Sequence, residues 1–249
     1  MRVKYLLVAM FILFTAGVLV SSSHAEIAPE TIVGAWPFDE GKDATAGDSS
    51  GNGHNGTLIN DPKWVDGKVG EALEFNGTNG VEIPHSDELT LSTFSIAAWI
   101  KLETGGAWQQ VVSKPSRNYS VGISPADLVE CAFKDGGWKS ALSTTTVVDG
   151  QWHHVAGTYD MKVLRIYVDG VLEGETACTD TPSVNTNPVE IGRVSNGGTE
   201  AILKGIIDEV IIFNTALAED EINTIMKGTT AVEPQVKLAT AWGKVKATH

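Results

Sequence analysis

Phe94-Ser95-Ile96-Ala97-Ala98-Trp99-Ile100-Lys101-Leu102 puts Phe94, Ile96, Ala98, Ile100 and Leu102 on one face when read at period two. That spacing is the signature of a strand with a buried side. The alternation recurs at Leu164, Ile166 and Val168, with Arg165 and Tyr167 opposite. Asp169-Gly170 follows at once and turns the chain toward Val171-Leu172, a two-residue hairpin signal. Gly136-Gly137 and Asp149-Gly150 mark further turns. Such runs number roughly a dozen at the usual strand length. That count exceeds a small immunoglobulin-like sandwich and predicts an all-β, two-sheet antiparallel jelly roll. A single helix is predicted, Ala218 to Lys227: Glu219, Asp220 and Glu221 open it, Gly228 ends it, and Ile222, Ile225 and Met226 share one face.

Eighteen basic against 31 acidic residues, a formal charge of −13, argue against a phosphate-tracking surface and exclude nucleic acid as the expected partner. The charge suits cations, neutral sugars or basic protein surfaces. Arg2 and Lys4 precede the apolar run Leu6 to Val20, and Ser23-His24-Ala25 supplies small residues before Glu26. Residues 1–25 therefore read as a secretory signal peptide, too short in its apolar run for a membrane span. The mature chain is expected to be secreted, periplasmic or at the cell surface, with no membrane span of its own. One domain is expected over 31–228, followed by a tail at 229–249 without clear periodicity.

Further strings appear in a fixed order: Trp36-Pro37-Phe38-Asp39-Glu40, Asp48 to Thr57, Gly70 to Gly77, Phe94 to Ile100, Trp152 to Asp160, Ile166 to Gly170, Val189 to Arg193 and Gly205 to Val210. Together they resemble bacterial LamG-like jellyroll domains of the concanavalin A-like lectin/glucanase superfamily, over about residues 31–228. The resemblance implies two packed antiparallel sheets, one of them concave. It transfers no activity, because this sandwich hosts binders and enzymes alike. It also implies a structural calcium between the first and last strands, with the Asp208 side chain as a ligand and carbonyls from the Asp39-Glu40 segment. The rival reading gives Asp208 backbone hydrogen-bond partners, since a buried lone carboxylate is costly.

Catalytic patterns are not found. A glycosidase needs two carboxylates flanking the scissile bond, and the nearest pairs are Glu71/Glu74 and Glu173/Glu175. His153 and His154 are neighbours on a strand, so they point to opposite faces and cannot chelate one ion together. The Asp48 to Gly53 run is explained by Asx turns without an ion. No enzyme is expected.

Of the seven tryptophans, Trp36, Trp99 and Trp152 are assigned to core packing, while Trp64 is read as stapling a loop. Trp108 and Trp138 stand beside Gly105-Gly106 and Gly136-Gly137, as aromatic rings offered on loops for stacking against a sugar. Arg117, Asn118 and Tyr119 are the accompanying candidate hydrogen-bond donors. In an exported chain Cys131 and Cys178 form an even pair, so a disulfide between them is expected. The sequence thus points to a non-catalytic module that binds glycan, with a structural or adhesion protein contacting extracellular proteins as the alternative and a glycoside hydrolase as the third, least favoured reading.

Overall fold

A computed structural model describes residues 27–116, 118–194 and 203–228. The expected signal peptide, the tail and Arg117 lie outside them. The chain runs through β1 (Ile32–Trp36), β2 (Thr45–Ala46), β3 (Gly56–Ile59), β4 (Lys63–Asp66), β5 (Glu71–Asn76), β6 (Gly80–Ile83) and β7 (Phe94–Lys101). It continues through β8 (Gln109–Lys114), β9 (Tyr119–Ile123), β10 (Leu128–Asp135), β11 (Gly137–Thr146) and β12 (Trp152–Tyr159). Then come β13 (Val163–Val168), β14 (Val171–Ala177), β15 (Val189–Ile191), β16 (Lys204–Phe213) and the helix α1 (Glu219–Met226).

These form two antiparallel sheets. The first has the order β14-β13-β12-β7-β16-β5-β4, with β1 also paired to β16. The second has the order β11-β10-β9-β8-β15-β6-β3-β2. The jelly-roll sandwich is therefore as the alternation predicted. Strands of two to four residues, such as β2 and β15, carry too little pattern to be read in the sequence and account for the excess over a dozen.

The core lies between the sheets. Phe94, Ile96, Ala98, Ile100 and Leu102 face inward from β7 and meet Tyr119, Val121 and Ile123 of β9 and Val129 and Phe133 of β10. Phe94 packs its ring against Tyr119 and Tyr159 at centroid separations of 5.6 and 5.9 Å. Trp36 is fully buried in this layer, its indole donating to the His54 carbonyl at 2.9 Å.

A second apolar layer covers part of the first sheet's outward side. Ala97, Ala156, Tyr167, Ile211 and Phe213 pack there against Ile222 and Ile225 of α1. The helix lies where the i, i+3 spacing placed it. Its Glu221 carboxylate reaches back to accept from the Ala218 amide at 2.7 Å, and Asn223 donates to the Gly170 carbonyl at 3.1 Å, tying α1 to the β13–β14 turn.

Candidate functional site

β16 changes partner halfway along. Lys204 to Ile207 pair with β5, whereas Val210 to Phe213 pair with β1. The change occurs at an irregularity between Asp208 and Ile211, where Glu209 takes a positive φ of 52°. Asp208, wholly buried at this point, accepts from the Val69 amide through Oδ2 at 3.0 Å. It thereby holds the Gly67–Gly70 turn, in which Gly67 leaves no room for a side chain: a Cβ would lie 2.7 Å from the same oxygen. This is the backbone-acceptor role that the sequence reading set against calcium.

Three more carboxylates stand nearby. Asp39 Oδ1 accepts from the Glu71 amide at 3.1 Å, and Glu40 Oε1 from the Gly47 amide at 2.8 Å. Burial pushes the Glu40 carboxyl above the usual range despite the Gly47 bond, and the charges of Asp39 and Glu71 push the same way. Its second oxygen, Oε2, is buried without a hydrogen-bond partner. Among the described residues no three His, Cys, Asp or Glu side chains converge to hold a metal by themselves. A cation here needs backbone carbonyls as well, as oxygen-rich calcium sites commonly use.

The aromatic candidates are exposed but far apart. Trp108 is 45% and Trp138 49% exposed. Gln109 turns its amide toward the first sheet, donating to the Thr104 carbonyl and accepting from the Lys204 amide, so Trp108 and Gln110 fall on the outward side of the second sheet. Trp138 also faces outward, opposite Lys134 of β10, whose alternate residues Cys131 and Phe133 enter the core. Trp108 precedes the end of β8 that pairs with Ile123, whereas Trp138 begins β11 at the other end of the sheet. Three strand spacings and six residues separate the two, about 14 Å across and about 20 Å along. They are therefore two platforms on one face, not one site. On the strip between them Gln110, Ser120 and Ala132 are buried.

The accompanying donors are corrected. Asn118 is fully buried, and its side-chain amide pairs with both the amide and the carbonyl of Leu91, each at 2.9 Å. Tyr119 is also fully buried and donates to the Leu89 carbonyl at 3.0 Å. Both therefore pin the segment leading into β7 and have no group left to offer a ligand.

Cys131 and Cys178 are free thiols, so the expected bridge is not formed. Cys131 points into the core over Gly157, where a Cβ would come within 2.4 Å of its sulfur. Cys178 lies beyond β14, its amide bonded to the Lys162 carbonyl and its carbonyl accepting from the Tyr159 hydroxyl. Burial, then the Glu130 charge and Cys178, raise the Cys131 thiol well above its usual range.

Two of the tryptophans assigned to the core are not in it. Trp99 and Trp152 are half-buried on the outward side of the first sheet, opposite His154 and Lys101. Lys68 Nζ sits 4.3 Å from the Trp99 ring centroid, and His154 meets that ring edge-on at 5.3 Å. The signal that identifies them was present: Trp99 and Lys101 occupy the face opposite Phe94, Ile96 and Ile100. His153 and His154 do diverge. His153 contacts Asp169 at 2.8 Å and Asp149 at 3.2 Å, whereas His154 turns to the outward layer.

Of the acid pairs singled out in the sequence, Glu173 and Glu175 serve the framework. Glu173 accepts from the amides and hydroxyls of Thr144 and Thr145, and Glu175 lies 3.7 Å from Arg165. A pair missed by the sequence reading, Glu82 and Glu190, faces across β6 and β15. Glu190 is enclosed and bound to Arg193 at 3.2 Å.

Among the solved structures similar to the chain in fold, three are representative. The binding domain of Paraclostridial Mosquitocidal Protein 1 superposes with a TM-score of 0.66 at 16% identity, over 80% of this chain and 52% of that one. Domain 4 of AbnA, a GH43 extracellular arabinanase from Geobacillus stearothermophilus in complex with arabinotriose, gives 0.65 at 21%, covering 79% and 98%. The binding domain of botulinum neurotoxin DC in complex with rat synaptotagmin II gives 0.62 at 14%, covering 82% and 52%. The chain thus spans about half the length of the two toxin domains. No curated protein matches in sequence. A family model does match over residues 75–223, from β5 to the middle of α1, and this sandwich is a member of that family: the laminin G type 3 domains of the concanavalin A-like lectin/glucanases superfamily.

Proposed function

We propose that the chain is an exported, non-catalytic binding module for carbohydrate. The observation that carries this reading is the pair of exposed indoles, Trp108 and Trp138, held on the rigid outward side of the second sheet. An exposed indole offers a flat apolar surface suited to stacking on the apolar face of a sugar. The similar arabinanase domain, solved with arabinotriose, supports the ligand class. The botulinum domain, solved with synaptotagmin II, supports a protein partner as the alternative. The engagement of Glu173, Glu175 and Glu190 in structural contacts supports a module without turnover.

A glycan array with the purified chain tests the reading. Binding of at least one glycan is expected, without release of reducing sugar from the polysaccharide that contains it. Because the two rings are separate, Trp108→Ala and Trp138→Ala should each weaken binding to a multivalent glycan surface, by about tenfold per lost stacking platform. An array without hits, or hits unaffected by both substitutions, refutes the assignment, and measurable hydrolysis refutes its non-catalytic part.

We further propose a structural calcium ion where β16 meets the N-terminal segment. Asp208, Glu40 Oε2 and carbonyls of the Asp39-Glu40 segment would hold it, the buried and unpartnered Glu40 oxygen being the feature that fits. The ion would neutralise carboxylates that otherwise repel. A melting temperature that falls on chelation is its signature.

A further inference from the structure

Helix α1 leaves one end of the first sheet's outward side uncovered, and there a cavity of ≈ 250 Å³ opens where β16 begins. Ile206 supplies its apolar surface. Four charged side chains ring it, Lys101 and Lys204 against Glu74 and Glu103, and Thr104 adds a hydroxyl. None of these four forms an ion pair within 4.0 Å among the described residues, so their donors and acceptors are open to a ligand.

The cavity is preformed. The buried Gln109 amide bridges the Thr104 carbonyl at 2.7 Å and the Lys204 amide at 2.8 Å, fixing two walls relative to each other. Gly205 closes the back at φ 151°, so near β7 that a Cβ would lie 2.6 Å from the Lys101 carbonyl oxygen. Lys101, Ile206 and Glu74 form one row across three strands. A cation and an anion thus flank an apolar side chain, their Cα atoms about 10 Å apart. Among the described residues no ion pair within 4.0 Å closes the gap over Ile206. That gap suits a ring with one apolar face and hydroxyls at its edge, and the balanced charges select no net charge in the ligand.

We propose that this cavity is a subsite for one neutral sugar ring, seated on Ile206, with its hydroxyls accepting from Lys101 and Lys204 and donating to Glu74 and Glu103. The ligand class rests on the carbohydrate-binding reading, but the site is distinct from Trp108 and Trp138. Amide NMR of the full chain, titrated separately with glucose, galactose, mannose, arabinose, glucuronate and glucosamine, tests it. At least one neutral sugar should shift the amides of Lys101, Gly205 and Ile206, with an affinity that changes less than twofold between low and high salt. Lys101→Met and Glu74→Gln should each weaken that binding about tenfold, while the rest of the spectrum stays unchanged. Shifts produced only by glucuronate or only by glucosamine, no shift with any neutral sugar, or undiminished binding in both variants would overturn the proposal. If the array still shows Trp108- or Trp138-dependent binding in that case, the subsite alone falls. If the array is also empty, the carbohydrate reading falls with it.

Discussion

His154 is an imidazole held neutral by its surroundings. It sits on the outward side of β12, almost fully buried against Trp99, with Asp169 accepting from its backbone amide at 2.9 Å. Burial lowers its pKa to about 4, and the Asp169 charge only partly opposes the shift. In the unfolded chain the ring takes up a proton near the ordinary value of about 6.5. The folded pKa is the lower one, so the stabilising contribution is complete above about pH 6.5 and is lost as pH falls toward 4. The loss by pH 4 should be roughly 3 kcal/mol. Urea unfolding between pH 4 and 8 should show this slope in the parent chain and a flatter one in His154→Gln. Equal slopes in both would contradict the assignment. Asn118 and Tyr119 teach the complementary lesson at this scale. Beside Arg117 they read as donors on a loop, yet Leu89 and Leu91, about 30 residues earlier, claim them. No local pattern reveals such a partner.

Among the elements, α1 is short and owes its place to packing more than to propensity. Ile222 is wholly buried against the outward side of the first sheet, together with Phe213, Ala156 and Ile225. Ile222→Ala should cost about 2–4 kcal/mol, read as a lower urea midpoint at unchanged m-value. A change under 0.5 kcal/mol would mean that the helix is not docked in solution. The sheet edges at β11 and β14 are managed by side chains. Glu173 takes the Thr144 and Thr145 amides, and Thr176 donates to the Ser140 carbonyl at 2.8 Å, so neither edge is left as an open template for another strand. Partial burial raises the Glu173 carboxyl, but the hydrogen bonds from Thr145 and Thr144 outweigh that and hold it below the usual range. In the sequence this residue stood only as one of a carboxylate pair, Glu173 and Glu175.

Across the whole molecule, the N-terminal strand pairs with the last strand at Val210 to Phe213, just beyond Asp208, far apart in sequence and adjacent in the fold. A cation bound there would couple the two ends of the domain. With calcium at about 100 times its dissociation constant, the expected stabilisation is about 2.7 kcal/mol, read as a rise in melting temperature that chelator reverses. Asp208→Asn keeps an acceptor for the Val69 amide while removing the charge, and should abolish the calcium response. An unchanged melting temperature in the parent chain would eliminate the ion. The separation of Trp108 from Trp138 belongs to this scale too: β8 and β11 are joined by hairpins, and only the register of four strands shows that the two rings stand at opposite ends.

The alternation of Phe94 to Leu102 and the turn pairs determined the β-sandwich by themselves, because period-two burial is a local property of a strand. The charged first turn and the i, i+3 isoleucines of α1 were equally local, as was the burial of Asp208 within an apolar run. How far the outward face of β7 is covered was not local: Ala97 is buried in the layer under α1 whereas Trp99 and Trp152 stay half-open, and that depends on where the helix docks. The pairing of Asn118 with Leu91, the free state of Cys131 and the cavity shared by β5, β7 and β16 were likewise decided only by tertiary structure. Each depends on strand order and register, which bring together residues that no sequence spacing relates.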